Sequence, residues 1–390
     1  MRENNNNFNF EKKNILLFIL APVVSIFLFG FVYSKVYVEE IPAAIYDMDN
    51  SSVSRSIIGN IQDSTGINIT KTVDSQAEMD ELLLKGEVSA GIIIPDDFGK
   101  NVMEKNSPSV LVLSDGSNIV IGNNVLGYLS TVFNTVNAGI QISVMEGSGV
   151  VPYSAEQSMN TLSFVDRILY NPQMGYFKYM FAAILAILIQ QLYLSAISTM
   201  LIEYKHKIRA ALDTPKHIRT IIRNEIIPQI LEGMATMVIS FLLCLIIAHK
   251  FFGYQLKGSI RVTILVLLIF LVGITAMALL FATFFENINS CIQIVMLLSV
   301  PSILTSGYIW PEFAMAPHFI NFIKATWPLY YFDNALRDLL LKGDSMKVIQ
   351  HYISGGIQFA IFWFIVGSIC YYIRIIRLKP NKKYELNELN

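Results

Sequence analysis

The chain reads as an α-helical polytopic membrane protein, six transmembrane helices, with an inserted α/β extracytoplasmic domain. Three observations predict this. The 390 residues are 53% hydrophobic and only 15% charged, where soluble chains run at about a quarter charged. The apolar residues gather in blocks, and about 20 of them in a helix cross a hydrocarbon core of about 30 Å. The charges also separate: segment 34–175 holds seven Lys and Arg against seventeen Asp and Glu, a net of −10, while the whole chain sums to −1. Near-neutrality excludes a polybasic nucleic-acid binder and an acidic disordered chain. Three cysteines exclude a disulfide-stapled scaffold.

The first block, 15–33, carries no charge. Lys12 and Lys13 precede it as they would in a signal peptide. The run is longer than a usual apolar core, however, and Gly-Phe-Val-Tyr-Ser-Lys after it offers no small-residue cleavage site. An uncleaved signal-anchor helix is therefore expected. Further spans are expected at 176–201, 226–248, 260–285, 292–309 and 357–376. Pro301 interrupts the fifth, and Gly355, Gly356 and Gly367 dilute the sixth.

Basic residues set the orientation. Arg2, Lys12 and Lys13 precede the first span. Lys205, Lys207, Arg209, Lys216, Arg219 and Arg223 follow the second, and Arg374, Arg377, Lys379, Lys382 and Lys383 lie at the end. An even number of spans puts both termini on one side, and the basic segments place that side in the cytoplasm. Four parts result: an N-terminus with the first helix (1–33), an acidic outer domain (34–175), a five-helix membrane domain (176–376) and a tail (377–390). The setting is a bacterial cytoplasmic (inner) membrane.

Within the outer domain, strands are expected at 41–46, 66–71, 89–94 and 110–114. Helices are expected after Asn50 and Ser51 to about residue 62, after the capping box Ser75-Gln-Ala-Glu78 to residue 85, and over 96–105. Short apolar runs alternating with helical segments fit a sheet covered by helices. A long helical stretch over about 118–145 reads as a stalk leading back to the membrane. Cys244, Cys291 and Cys370 all fall in or beside spans, so no disulfide is expected outside.

Four clusters are candidates for chemistry. Asp47-Met-Asp49-Asn50-Ser51-Ser-Val-Ser54-Arg55 follows the first strand. As a calcium loop it has Ser52 where the turn needs Gly and Ile58 where the bidentate Glu belongs, which excludes that reading. As a haloacid-dehalogenase-type phosphatase start it offers Asp47 as nucleophile and Asp49 as acid/base, with Asp96 and Asp97 for Mg²⁺; a helix beginning at once leaves no flap segment. The commoner outcome for such a cluster is that Asp49, Asn50 and Ser51 cap the helix while Arg55 pairs with an acid. Gly253-Tyr-Gln-Leu-Lys-Gly258 has the glycine spacing of a phosphate loop, but its lysine precedes the second glycine. No nucleotide-binding motif occurs elsewhere. The five histidines are scattered without partners at ligand spacing, and no metal is expected. Polar groups inside spans remain: Gln190 and Gln191 in the second and Glu232 in the third. They serve either a transport path or bonds between helices.

The order of blocks resembles that of ABC-2 type transporter permeases with a large extracytoplasmic domain, and several segments carry the resemblance. Asp47 to Arg55 is similar to the family's D-x-D-x-S-x-x-S-R. Gly91-Ile-Ile-Ile-Pro95-Asp-Asp-Phe98 resembles its apolar strand followed by Pro and Phe. Asp115-Gly-Ser-Asn118 resembles the segment before its long helix. Ser306-Gly307-Tyr-Ile-Trp-Pro311, Pro317, Trp327-Pro328, Arg337 and Lys342-Gly343 resemble the exit of the fifth span and an outer re-entrant region, here 306–346. The loop after the second span departs from the pattern. Glu203 and Thr214-Pro215 match, but the family's Gly-Thr pair is missing.

The resemblance implies export of a substrate, driven by a separate ATP-binding-cassette ATPase that holds the ATP and Mg²⁺. This chain itself binds no cofactor. It implies a second permease copy, as homodimer or close paralogue, and a coupling loop with Glu203, Lys205, Arg209, Asp213, Thr214 and Pro215. Gln190, Gln191, Glu232, Ser306 and Gly307 are the transport-path candidates. The acidic outer domain is the candidate dock for a periplasmic adaptor leading to an outer-membrane channel. A proton-driven efflux transporter, an outer phosphatase and a membrane scaffold remain as alternative readings at this level.

Overall fold

A computed structural model describes residues 12–33, 38–104, 106, 108–147, 169–171, 175–212 and 215–377. The chain divides into two compact units, Tyr37–Arg167 and the remainder.

In the first unit four strands form a sheet in the order β2-β1-β3-β4. They are β1 (Ile41–Asp47), β2 (Ile67–Thr72), β3 (Ala90–Ile94) and β4 (Leu111–Ser114). β1 runs parallel to β2 and β3, and β4 closes the edge antiparallel to β3. The helices between them are α2 (Ser52–Gln62), α3 (Gln76–Leu84) and α4 (Phe98–Met103), and α5 (Ile119–Gly147) follows β4. Alternation along β1 sorts the core into two faces. Ile41, Ala43 and Ile45 pack with Ile57, Ile61, Phe98, Val125 and Leu129, while Ala44 packs with Met79, Leu82 and Ile93. Gly91 admits Met79 to the second face: a Cβ there would lie 2.6 Å from its Sδ.

The caps follow the sequence. Ser51 Oγ accepts from Val53 and Ser54 N–H, and Ser75 Oγ accepts from Glu78 N–H. Glu78 answers by accepting from Asp74 N–H instead of Ser75. Two expectations change. The third helix begins at Phe98 instead of residue 96, because Asp97 sits at φ 53° and the chain cannot turn helical before it. The first half of α5 belongs to the unit's core through Val125 and Leu129, so it is not a free stalk.

Among its described residues the second unit holds six helices long and apolar enough to cross a membrane. They lie in α1 (Lys12–Val32), α6 (Tyr176–Ala210), α8 (Ile227–Phe252), α9 (Ile260–Phe284), α10 (Ile288–Thr305) and α13 (Gln350–Arg377). A short α7 (Pro215–Ile221) runs through a π-helical turn, Ile222–Ile226, into α8. Between α10 and α13 stand α11 (Pro317–Thr326) and α12 (Leu329–Arg337), the latter followed by a second π turn, Asp338–Lys342. The outward faces are apolar: Leu16, Leu20 and Leu28 on α1, Leu297 and Val300 on α10, Ile361 and Ile365 on α13. A solvent of lipid requires such faces.

The span that Pro301 interrupts and the span that glycines dilute form for identifiable reasons. α10 runs through Pro301, and Ser302 and Thr305 bond their hydroxyls to the carbonyls of Ser299 and Pro301 in the surrounding turns. In α13 the glycines sit at helix contacts. A Cβ on Gly367 would lie 3.0 Å from Ala276 O of α9, and one on Gly356 would lie 3.2 Å from Ile269. Small residues let membrane helices approach closely.

Candidate functional site

At one end of the helix bundle, basic side chains of α6 converge on a single acid. Glu286 lies in the connector between α9 and α10. Lys205 Nζ is 3.2 Å from its Oε1. Arg209 engages both oxygens, at 3.1 and 3.3 Å. Arg374 of α13 comes to 3.5 Å and His206 to 3.8 Å. Lys205 is fully buried, and its ammonium also donates to the carbonyls of Ala282 and Phe285, each at 2.7 Å. It thereby caps the end of α9 with a cation, which both the free carbonyls and the helix dipole favour. Partial burial works to raise the Glu286 pKa. The hydrogen bonds and charges of Arg209 and Lys205 together outweigh it, so the carboxyl lies below the ordinary glutamate range.

Neighbouring contacts extend this cluster. Tyr371 of α13 donates to Leu201 O at 2.6 Å, one turn from Arg374. Gln229 of α8 donates to Tyr204 Oη at 2.9 Å, and Lys207 pairs with Glu225 in the π turn. Of the expected coupling residues, Lys205 and Arg209 are thus brought together. Glu203 is exposed on α6, and Pro215 opens α7. Asp213 and Thr214 lie outside the described residues.

Gln190 and Gln191 sit deeper in α6. Gln190 is buried: its Oε1 accepts from Trp327 Nε1 at 3.0 Å, and its Nε2 donates to Ser302 Oγ at 3.1 Å. Gln191 accepts from Ser299 Oγ. Both amides therefore bond across to α10, and Gln190 also reaches the segment leading into α12. Ser306 and Gly307 form the turn that ends α10. Gly307 has φ 91°, which a side chain rarely allows. α12 holds this turn, since Asn334 donates to Ser306 O at 2.8 Å and Arg337 to Gly307 O at 3.4 Å. Glu232 lies apart from these groups, half-buried on α8.

In the sheet unit, the Asp47–Arg55 cluster is a knot of local bonds. Asp47 Oδ1 accepts from Asp49 and Asn50 N–H, each at 3.1 Å, and its Oδ2 accepts from Ser54 Oγ at 2.8 Å. Asp49 Oδ2 accepts from Gly99 N–H at 3.0 Å, which binds the β1 turn to the start of α4. Arg55 donates to Asn50 O at 2.6 Å rather than to an acid. Phe98 is buried beneath, and Pro95 ends β3. Both oxygens of Asp47 are occupied in holding the turn, and Asp96 and Asp97 are exposed.

A family model described as ABC-2 family transporter protein matches residues 12–367, which spans both units. The chain belongs to the ABC-2 transporter family. Two permeases of Escherichia coli strain K12 are similar to it. The probable multidrug ABC transporter permease YbhS is 23% identical, over 95% of this chain and 92% of its own length. The inner membrane transport permease YhhJ is also 23% identical, over 79% of each.

For this permease, sequence reasoning reaches Glu286 only as the first residue of a cytoplasmic loop, 286–290, on which the ATPase would press, and does not single it out as a site residue. One signal stood in the sequence: Glu286 is the only acid between Glu232 and Glu312. The roles of Arg374 and Trp327 had no such signal, because their partners lie 88 and 137 residues away.

Proposed function

We propose that this permease is the membrane-spanning subunit of an ATP-binding-cassette exporter, driven by a separate ATPase that carries the ATP and Mg²⁺. It works as a pair of permease chains, two copies or a copy and a close paralogue, in a bacterial inner membrane. The observation that supports this reading best is the family match across both units, in a chain with no nucleotide-binding motif. The basic residues gather near the Glu286 end of the bundle, which the positive-inside rule places in the cytoplasm with both termini. Nucleotide-driven closure of the ATPase pair presses on the loops 201–223 and 286–290, and the bundle changes its access by rigid-body motion. The acidic 34–175 segment lies outside and docks an adaptor leading to an outer-membrane channel.

The similarity to a permease named for multidrug transport makes amphiphilic drugs the first substrates to test. Because Gln190 spends its whole amide, and Gln191 its oxygen, on partners in other helices, the path candidates narrow to Glu232 and the 306–307 turn. The phosphatase reading loses support, since Asp47 is engaged by both oxygens in holding the turn and a helix follows at once, leaving no flap segment. The test is transport in inside-out vesicles containing the permease and an ATP-binding-cassette ATPase that copurifies with it. Uptake that needs ATP, survives an uncoupler and vanishes with an ATPase-dead partner is expected. Uptake that persists without ATP but collapses with the proton gradient would sink the proposal.

A further inference from the structure

Glu286 ties the α9–α10 connector to two further helices through one carboxylate. α6 reaches it with Lys205, His206 and Arg209, α13 reaches it with Arg374, and Glu286 itself extends from the end of α9 into α10. Lys205 adds a second tie, because its ammonium is fixed to the last carbonyls of α9. Four basic side chains share this one carboxylate, which makes it the common partner of the cluster among the described residues. Neighbouring acids are otherwise engaged: Glu225 pairs with Lys207.

We propose that Glu286 is a positioning residue for transport, the link through which displacement of α6 is passed to α9, α10 and α13. This rests on the ATPase-driven reading above and names the residues that carry the motion. α6 has its basic end where the coupling loop begins. A push on that loop displaces Lys205 and Arg209, and the charge-assisted bonds to Glu286 carry the α9–α10 connector with them. Arg374 is the only ion-pair link from this acid to α13 among the described residues. The link therefore has two separable halves, one from α6 to the connector and one from the connector to α13.

The test follows hydrogen exchange in the full-length permease in lipid nanodiscs over 203–210, 282–290 and 370–377. Glu286→Gln keeps the shape and removes the charge. It is expected to speed exchange about tenfold in all three segments, the effect of losing a hydrogen bond to a charged group. Arg374→Gln is expected to speed exchange only in 370–377. It also carries the test if the Glu286 variant fails to fold. Acceleration confined to 282–290 in Glu286→Gln, or none in 370–377 in Arg374→Gln, overturns the proposal.

A second arm adds the ATPase with ATP and Mg²⁺. Nucleotide is expected to change exchange in all three segments of the wild type. In Arg374→Gln the ATPase should still copurify and still change 203–210, while the response in 370–377 is lost. If that response persists, the link is not through Glu286. If no ATPase copurifies with the wild type, the exporter reading fails, and the first arm still decides the linkage.

Discussion

Trp327 donates its indole N–H to Gln190 Oε1 across 3.0 Å, joining the entry to α12 to the middle of α6. The same amide donates onward to Ser302 Oγ of α10. Both halves of a buried amide are thus satisfied, and each removal leaves a polar group without a partner.

Substitution of this pair should therefore be costly. Gln190→Leu or Trp327→Phe is expected to lower stability by about 1–2 kcal/mol, since the group left behind is desolvated without compensation. A double-mutant cycle should give a coupling of about 0.6–1.7 kcal/mol, the range for bonds between membrane helices. Thermal unfolding in nanodiscs reads both values, and strictly additive losses would show that the bond contributes nothing.

Two acids set a pH dependence. Glu286 and Glu312 both have lowered pKa values. Burial opposes the shift in each case, and it is outweighed by Arg209 and Lys205 at the first and by Lys324 and the Tyr330 hydroxyl at the second. A carboxyl lowered on folding contributes stability that is complete above the unfolded glutamate value, about 4.3, and is lost as pH falls through the folded value. The melting temperature should hold from neutral pH to about 5 and fall below about 4. Glu286→Gln and Glu312→Gln should each flatten part of that fall. An unchanged acid limb in both variants would refute the assignment.

Asp333 on α12 is fully buried, and neither carboxylate oxygen has a hydrogen-bond partner among the described residues. Ser306 gives its hydroxyl to Ile303 O, and Arg337 turns to Gly307 O and Asp338. An unpaired charge in such a place is expensive. Asp333→Asn keeps the shape without the charge and should leave stability at neutral pH equal or higher, by up to about 1 kcal/mol. A marked fall in melting temperature would mean that the carboxylate is needed as an anion.

The Asp47 knot makes a contrasting claim in the sheet unit. Asp47→Ala frees two backbone amides and the Ser54 hydroxyl, at a cost of about 2 kcal/mol. Asp47→Asn keeps one acceptor and should cost less. Hydrogen exchange at Asp49, Asn50 and the first turn of α2 in the full chain reports both. Equal exchange in all three proteins would mean that the knot does not hold the turn.

Much of the architecture was legible in the sequence because its causes are local. An uncharged run such as 15–33 fixes a span by its length, and Ser51 and Ser75 announce helix starts within four residues of the amides they bond. The start of the third helix was misread because the left-handed turn at Asp97 leaves no mark in a Pro-Asp-Asp sequence. Gln190 and Gln191 were visible as costly groups within a span, but their partners were not. Ser302 lies 112 residues along the chain and Trp327 137. The partners of Glu286 were hidden for the same reason. Nothing within a turn of Lys205 foretells that its ammonium ends against Ala282 and Phe285.

The π-helical turn Ile222–Ile226 has its cause two residues on, in Pro228. Proline has no N–H to give, and widening the preceding turn takes up the break. One surplus residue in a helix rotates everything after it by about 100°. Gln229, Gly233, Thr236, Met237, Ser240 and Cys244 all turn inward on α8 in that rotated setting. Their facing is therefore a matter of phase, counted from the turn that precedes α8. Deleting one residue from 222–226 would present a different side of α8 to the bundle while leaving every residue of α8 in place.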